Sequence, residues 1–342
     1  MRKVKLEDAL GLKLGHDITE IIPERKIKRR AFKRGHVITP DDLERLRDLG
    51  KKTIFVWDDD SGEIHEDEAA TTTAPLVAGG NIDFDPEPSE GKVNFYAARD
   101  GLFKVDVERL NRINSLEIPS LPTLHNNFPV EKGKQVAAFR IIPLSCDRTI
   151  IERVHAELEE PLISVKPYVL KSAGIIVTGD EVYEGRITDG FIPMLSRLVA
   201  RYGVEVTDTA VLPDDKKMIG ETVERFCREC DIIFVTGGTS VDPDDVTVRA
   251  LHEAGVKYEV KGNPIQPGNN FTIGYKDGSV VCAVPAAALF FKASALDVFL
   301  PRLLAGERIS REDFHRSGHG GLCHFCEICH FPVCPFGRGY AE

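Results

Sequence analysis

Several function classes are excluded by what the chain lacks. It has one tryptophan, and a single aromatic, Phe32, falls within its basic stretch, so a stacking platform for bases is not expected. It has no excess of cations: the formal net charge is −10, which argues against broad nucleic-acid binding. No apolar run reaches the roughly 18 residues that a membrane span needs. The stretch MRKVKLEDALGLKLGHD, Met1 to Asp17, holds basic side chains but no apolar block and no small-residue cleavage site, so it does not read as a signal peptide. A cytoplasmic location is therefore expected, with no membrane and no nucleic acid among the partners. Both the phosphate-loop lysine motif and the Gly-x-Gly-x-x-Gly fingerprint are missing, which leaves little support for a general nucleotide-binding protein.

What is present is enough for ordinary buried cores: 342 residues, 42% of them hydrophobic. That length suits two or three domains. Charge is unevenly placed. Arg25 to Arg34 (RKIKRRAFKR) is basic and Asp58 to Glu68 is acidic. The basic stretch is expected to be a solvated strand and turn, with attraction for an anion, RNA or an acidic partner as the alternative. Of the eight cysteines, four are crowded into Cys323 to Cys334.

The chain divides into expected segments. Residues 1–68 read as a small α+β domain, with a helix at Thr39 to Leu49, where Leu43, Leu46 and Leu49 recur at helical spacing, and a strand at Thr53 to Val56. The stretch from Asp58 to Pro88 is rich in Asp, Glu, Thr, Gly and Pro, and 69–90 reads as a linker. Residues 91–166 read as a β-rich domain with a helix at Cys146 to Glu159. Residues 167–306 change character. Gly174 to Thr178 (GIIVT) is a short apolar run typical of a strand buried on both faces. Helical and strand patterns then alternate through Val204 to Leu212, Met218 to Cys230, Asp231 to Thr236, Val246 to Ala254 and Val256 to Val260. A hairpin around Lys276-Asp277-Gly278 and a last helix from Ala286 to Leu304 follow. The expected fold class is α/β, a three-layer, mainly parallel sheet with helices on both faces. Residues 307–342 form a Cys/His-rich tail.

In an open α/β sheet, ligands gather at the carboxyl ends of the strands. Three polar loops fall there: Thr178-Gly179-Asp180-Glu181, then Thr236-Gly237-Gly238-Thr239-Ser240 running into Asp242, Asp244 and Asp245, and finally Gln266-Pro267-Gly268 with Val284-Pro285. Glycine lets backbone approach a ligand closely. The hydroxyls of Thr239 and Ser240 add donors, and a loop before a helix suits phosphate. Asp180, Glu181, Asp242, Asp244 and Asp245 are hard oxygen donors, of the kind a magnesium ion bridging phosphates would take one or two of. Taken singly, each motif is also a turn or a helix cap. Their joint placement at three strand ends makes a ligand site the expectation.

These residues, in this order, resemble a known family. Thr178-Gly179-Asp180-Glu181, Asp189 before a helix, Leu212-Pro213-Asp214-Asp215, Thr236-Gly237-Gly238-Thr239-Ser240 with Asp245-Val246-Thr247, and Gln266-Pro267-Gly268 look like the molybdopterin-binding domain of molybdenum-cofactor biosynthesis. That domain occurs in molybdopterin adenylyltransferases and molybdopterin molybdotransferases, the gephyrin type included. The resemblance covers about Pro167 to Gly306. Lys33 to Ile38 and Leu49-Gly50 also look like a piece of the molybdotransferase accessory region, although about a hundred residues intervene here.

The resemblance implies roles. Molybdopterin, in its adenylated form, and molybdate would be the substrates, with AMP released. Asp180, Glu181 and Asp245 would hold a divalent ion, magnesium, or promote cleavage of the adenylate. Thr178, Gly179, Asp189, Gly237, Gly238, Thr239, Ser240, Asp244, Pro267, Gly268 and Pro285 would contact phosphate or pterin. A homodimer is implied as well. The chain departs from the family at two places. Where the family shows Lys-Pro-Gly-Lys-Pro, it has Gln266-Pro267-Gly268-Asn269-Asn270, without either cation. Where the family shows Pro-Gly-Asn-Pro, it has Pro285-Ala286-Ala287-Ala288. Fewer charge-assisted hydrogen bonds to an anion would follow.

The tail adds a different chemistry. Cys323, Cys326, Cys329 and Cys334 are spaced C-x2-C-x2-C-x4-C. Four such thiolates can enclose a 4Fe-4S cluster or a zinc ion. Cys227 and Cys230 also form a C-x2-C, but at helical spacing, and are expected to be packing residues together with Cys146 and Cys282. Two functions are therefore expected: a transferase inserting molybdate into molybdopterin, or a non-catalytic cofactor carrier or redox/metal sensor docking a molybdoenzyme or another assembly protein.

Overall fold

The computed structural model describes every residue except 23, 25, 58–61, 239–245, 261 and 340–342. The chain folds as two compact units. One comprises 1–98, 105–124 and 133–164; the other comprises 99–104, 125–132 and 165–342. Among the described residues, no helix is long and apolar enough to cross a membrane.

The first unit begins with a small cluster in which Leu6, Leu14, Ile18, Ile38, Leu46, Ile54 and Val56 are buried together. Its helix, Pro40–Asp48, starts at a capping box made by Thr39 and Asp42. The strand Thr53–Val56 pairs antiparallel with Arg2–Lys5. The segment expected as a linker, 69–90, instead belongs to ordered elements, the helix Glu66–Val77 and the strand Ile82–Phe84. Its threonines and Pro75 resemble loop composition. However, Ala69, Ala70, Thr73, Ala74 and Val77 fall on one buried face, and three acidic residues occupy the first turn, where the helix dipole favours them. A four-stranded antiparallel sheet follows in the order Ile82–Phe84, Val93–Ala97, Gln135–Ile141, Pro119–Ser120. The helix expected from Cys146 to Glu159 is shorter, Arg148–Ala156. Asp147 accepts the Thr149 N–H and ends a short strand there.

The second unit is mixed α/β. Its six-stranded sheet runs in the order Glu205–Leu212, Ser172–Thr178, Ile232–Thr236, Ser279–Val284, Thr272–Lys276, Lys257–Val260. The first four strands are mutually parallel; Thr272–Lys276 runs against them, and Lys257–Val260, paired antiparallel to it, returns to their direction. Successive strand residues point to opposite faces. Thus Ile175 and Val177 pack with Leu195 and Val199 of the helix Phe191–Ala200 and with Leu296 and Phe299 of the helix Ala295–Leu304. Ile176 packs instead with Val223 and Phe226 of the helix Lys216–Glu229 and with Leu251 of the helix Thr247–Glu253. Both faces of the sheet are covered, so the run at 174–177 is apolar at every position before the buried Thr178. Cys227, Cys230 and Cys282 lie in these cores, and burial pushes the Cys227 thiol up to about 11. They are inert packing groups.

Two elements differ from expectation. The last helix, expected from Ala286 to Leu304, is broken into Ala287–Phe290 and Ala295–Leu304. The cause is a capping box: Asp297 accepts hydrogen bonds from the backbone N–H and hydroxyl of Ser294, which starts a new helix there. The tail, in turn, is not a separate body. Phe314 and Phe336 are buried in the same core as Ile175 and Phe299. At the junction, Glu307 accepts hydrogen bonds from Lys104 (2.8 Å), Lys166 (2.9 Å) and Arg302 (2.8 Å). Burial opposes its charge, but these three donors outweigh that and hold its carboxyl at about 2.

Candidate functional site

The ends of the parallel strands open into a cavity of about 620 Å3. Eight of the expected residues line it: Thr178, Glu181, Asp189, Gly237, Gly238, Pro267, Gly268 and Pro285. Gly179 and Asp180 do not. Asp180 is turned to the neighbouring loop, where its Oδ1 accepts the Asp214 N–H at 3.1 Å. Thr239, Ser240, Asp242, Asp244 and Asp245 lie outside the described residues.

The floor is built by close approach of two strand ends. Thr178 is buried, and its hydroxyl donates to the Thr236 carbonyl at 3.1 Å and lies 2.9 Å from the Thr247 hydroxyl. Gly237 follows Thr236 with φ +87°, and a Cβ there would fall 2.0 Å from the Thr178 carbonyl oxygen. No side chain can be accommodated, so backbone itself faces the cavity at this point. The hydroxyl of Thr236 is buried beside it and has no hydrogen-bond partner among the described residues.

Asp189 has a structural task within the site. One of its oxygens accepts the Phe191 N–H at 2.8 Å and the other the Ile192 N–H at 3.0 Å. It thereby satisfies two free donors at the start of the helix Phe191–Ala200. Asp189→Ala is expected to lower stability by about 1 kcal/mol, which the midpoint of denaturant unfolding checks. An unchanged midpoint would show that these bonds contribute nothing. Glu181 makes no ion pair among the described residues, which leaves its carboxylate available to the cavity.

The wall at 266–270 is held by one amide. Asn263 Nδ2 donates to the carbonyls of Gly268, Asn269 and Phe271 at 3.0, 3.2 and 3.1 Å. Gln266 and Asn269 both line the cavity. Among its described lining residues there is no Lys or Arg, and the only charged groups are Glu181 and Asp189. Much of the remaining surface is apolar, and three phenylalanines contribute to it: Phe290, Phe291 and Phe325. Sequence reasoning missed these three and Asn263. Nothing in the periodicity marks Asn263, and Phe325 comes from the tail, far along the chain.

Residues 174–305 match the family model described as probable molybdopterin binding domain. This stretch of the second unit is similar to a molybdopterin-binding domain. Residues 3–58 match a second model, described only as a domain of unknown function. A CinA-like protein of Petrotoga mobilis is 36% identical over 80 residues, 23% of this chain and 20% of that protein. A molybdopterin molybdenumtransferase of a Nostoc species is 28% identical over 116 residues, 32% of this chain and 27% of that protein. The chain therefore spans about a fifth to a quarter of the length of these curated relatives. A crystal structure of the molybdopterin biosynthesis enzyme MoaB of Thermus thermophilus is 20% identical and covers 40% of this chain and 98% of its own, with a TM-score of 0.35. The matched stretch holds every described cavity-lining residue except the tail residue Phe325.

Proposed function

We propose that the second unit binds molybdopterin in this cavity and acts in molybdenum-cofactor biosynthesis, inserting molybdate into the adenylated pterin with release of AMP. The observation that carries the reading is the strand-end floor. At Gly237 and Gly238 backbone is bared to a cavity whose walls combine amide side chains with aromatic rings, a surface suited to a flat, hydrogen-bonding heterocycle. Glu181 would hold a divalent ion against the ligand's phosphate, one carboxylate plus phosphate oxygens being an ordinary magnesium shell. That ion would supply charge neutralisation that the wall, without Lys or Arg, does not. The chain's own residues bind and orient: Asn263 fixes the 266–270 wall, and Thr178 holds the floor. By resemblance, Asp245 would also promote cleavage of the adenylate. Such a protein would work as a homodimer in the cytoplasm and pass its product to a molybdoenzyme or another assembly protein.

A second reading is a carrier or sensor that binds the pterin without turnover. It is favoured by the absence of a cation on the described cavity wall, because an anion leaving in a transferase reaction needs charge-assisted donors. Anaerobic calorimetry with molybdopterin and its adenylated form, with magnesium and with or without molybdate, separates the two. Molybdate-dependent AMP release supports transfer, binding alone supports carriage, and no binding refutes both. Glu181→Gln is expected to weaken magnesium-dependent binding of the adenylated form roughly tenfold, about 1.4 kcal/mol, and to leave magnesium-free binding unchanged. Equal loss in both conditions would remove Glu181 as an ion ligand.

A further inference from the structure

A second cavity, of about 240 Å3, lies in the same unit, and all four tail cysteines line it, together with His324 and His330. It shares Phe290, Phe291 and Phe325 with the ligand cavity. We propose that Cys323, Cys326, Cys329 and Cys334 bind a thiophilic metal centre packed behind this phenylalanine wall. The proposal is independent of which ligand the larger cavity takes.

Three observations converge. The first is placement: Cys323, Cys326, Cys329 and Cys334 line one small space, with Cys323 and Cys334 half-buried and Cys326 and Cys329 exposed. The second is a donor to sulfur. The Phe325 N–H donates to Cys323 Sγ at 3.4 Å, the kind of contact that steadies a metal-bound thiolate. The third is anchoring. The Gln266 N–H donates to the Gly321 carbonyl at 2.8 Å, and the Cys323 N–H donates to the Gln266 carbonyl at 2.9 Å. Phe336 is buried just beyond Cys334. Both ends of the loop are therefore fixed, and only the segment between them must close.

Among the described residues, no three metal-ligating side chains already stand together at ligating distance. Closure to metal–sulfur bonds of about 2.3 Å thus accompanies binding, as it does in small metal-coupled folds. A zinc ion and four thiols would give a dianionic tetrathiolate and release four protons. An iron–sulfur cluster is the other occupant of the same thiolate shell. Loading draws in the loop that carries Phe325, whose ring is 5.8 Å from that of Phe291. The metal thereby sets one wall of the ligand cavity.

The test uses the full chain purified anaerobically. Elemental analysis is expected to find one zinc per chain, or iron with acid-labile sulfide and visible charge-transfer absorption. After chelator stripping under reductant, added zinc should return to one equivalent, and alkylation of Cys326 and Cys329 should be lost as it does. Cys146, Cys227, Cys230 and Cys282 are buried and serve as the unreactive background. The double variant C326S/C329S should lose the metal. If that variant does not fold, the alkylation experiment on the unaltered chain decides. Stripped chain that takes up neither zinc nor a reconstituted cluster, alkylation indifferent to metal, or full metal content in the double variant would each overturn the proposal.

Discussion

Glu307→Ala is expected to destabilise the chain by about 3 kcal/mol, the low end of what breaking a buried ion pair costs. The side chain is 8% exposed, and it neutralises Lys104, Lys166 and Arg302 at once. The three cations do not suffer equally when it is removed. Lys166 is half exposed and can turn to water, and Arg302 keeps Asp313 at 2.7 Å. Lys104 is left half-buried, with the Asn127 side-chain carbonyl as its acceptor among the described residues. Acid should act through the same group. Its carboxyl is held at about 2 against an ordinary 4.5, so its contribution is complete above pH 4.5 and is lost as pH falls toward 2. Thermal unfolding followed from pH 7 down to pH 3, in the unaltered chain and in Glu307→Gln, checks both points. A variant with the same midpoint and the same acid limb would show that the cluster is not stabilising.

Gly237→Ala is expected to remove ligand binding by roughly 30-fold or more, about 2 kcal/mol. The new Cβ would stand 2.0 Å from the Thr178 carbonyl oxygen and 2.6 Å from its hydroxyl, at φ +87°. Backbone cannot give way as a flexible side chain can, and a left-handed conformation adds about 1–2 kcal/mol for a residue with a Cβ. The strain can be relieved only by pushing the Gly237-Gly238 turn off the Thr178 strand end. That move reshapes the cavity floor. Titration with molybdopterin and a parallel unfolding curve distinguish the two ways the strain can emerge, as weaker binding or as lower stability. If both measurements match the unaltered chain, the two strand ends are not packed as closely as described.

What was legible in the sequence, and what was not, follows from how far apart the causes lie. The strand at 174–178 could be read because both of its faces are buried, so five neighbouring residues carry the signal. The Gly237-Gly238 turn could be read because glycine pairs after an apolar run have few other uses. The break at Phe291–Ala293 was missed although Ser294 and Asp297 spell a capping box, because apolar periodicity on both sides hid it. The helix Glu66–Val77 was lost to its loop-like composition. Asp180 and Asp189 look alike as acidic candidates, yet one is turned to the Asp214 N–H and the other serves a helix start. Only the fold assigns those hydrogen bonds. Glu307 and Lys104 are 203 positions apart, and no local pattern announces such a pair.

The burial of Phe314 and Phe336 has a consequence for how this domain could be exchanged. The family match ends at residue 305, but the core it describes is completed by side chains contributed later in the chain. This chain's own stretch, moved elsewhere, would carry two open sockets. The block that must be moved to keep this core closed is therefore longer than the matched stretch, and it takes in the cysteine-bearing end up to Phe336.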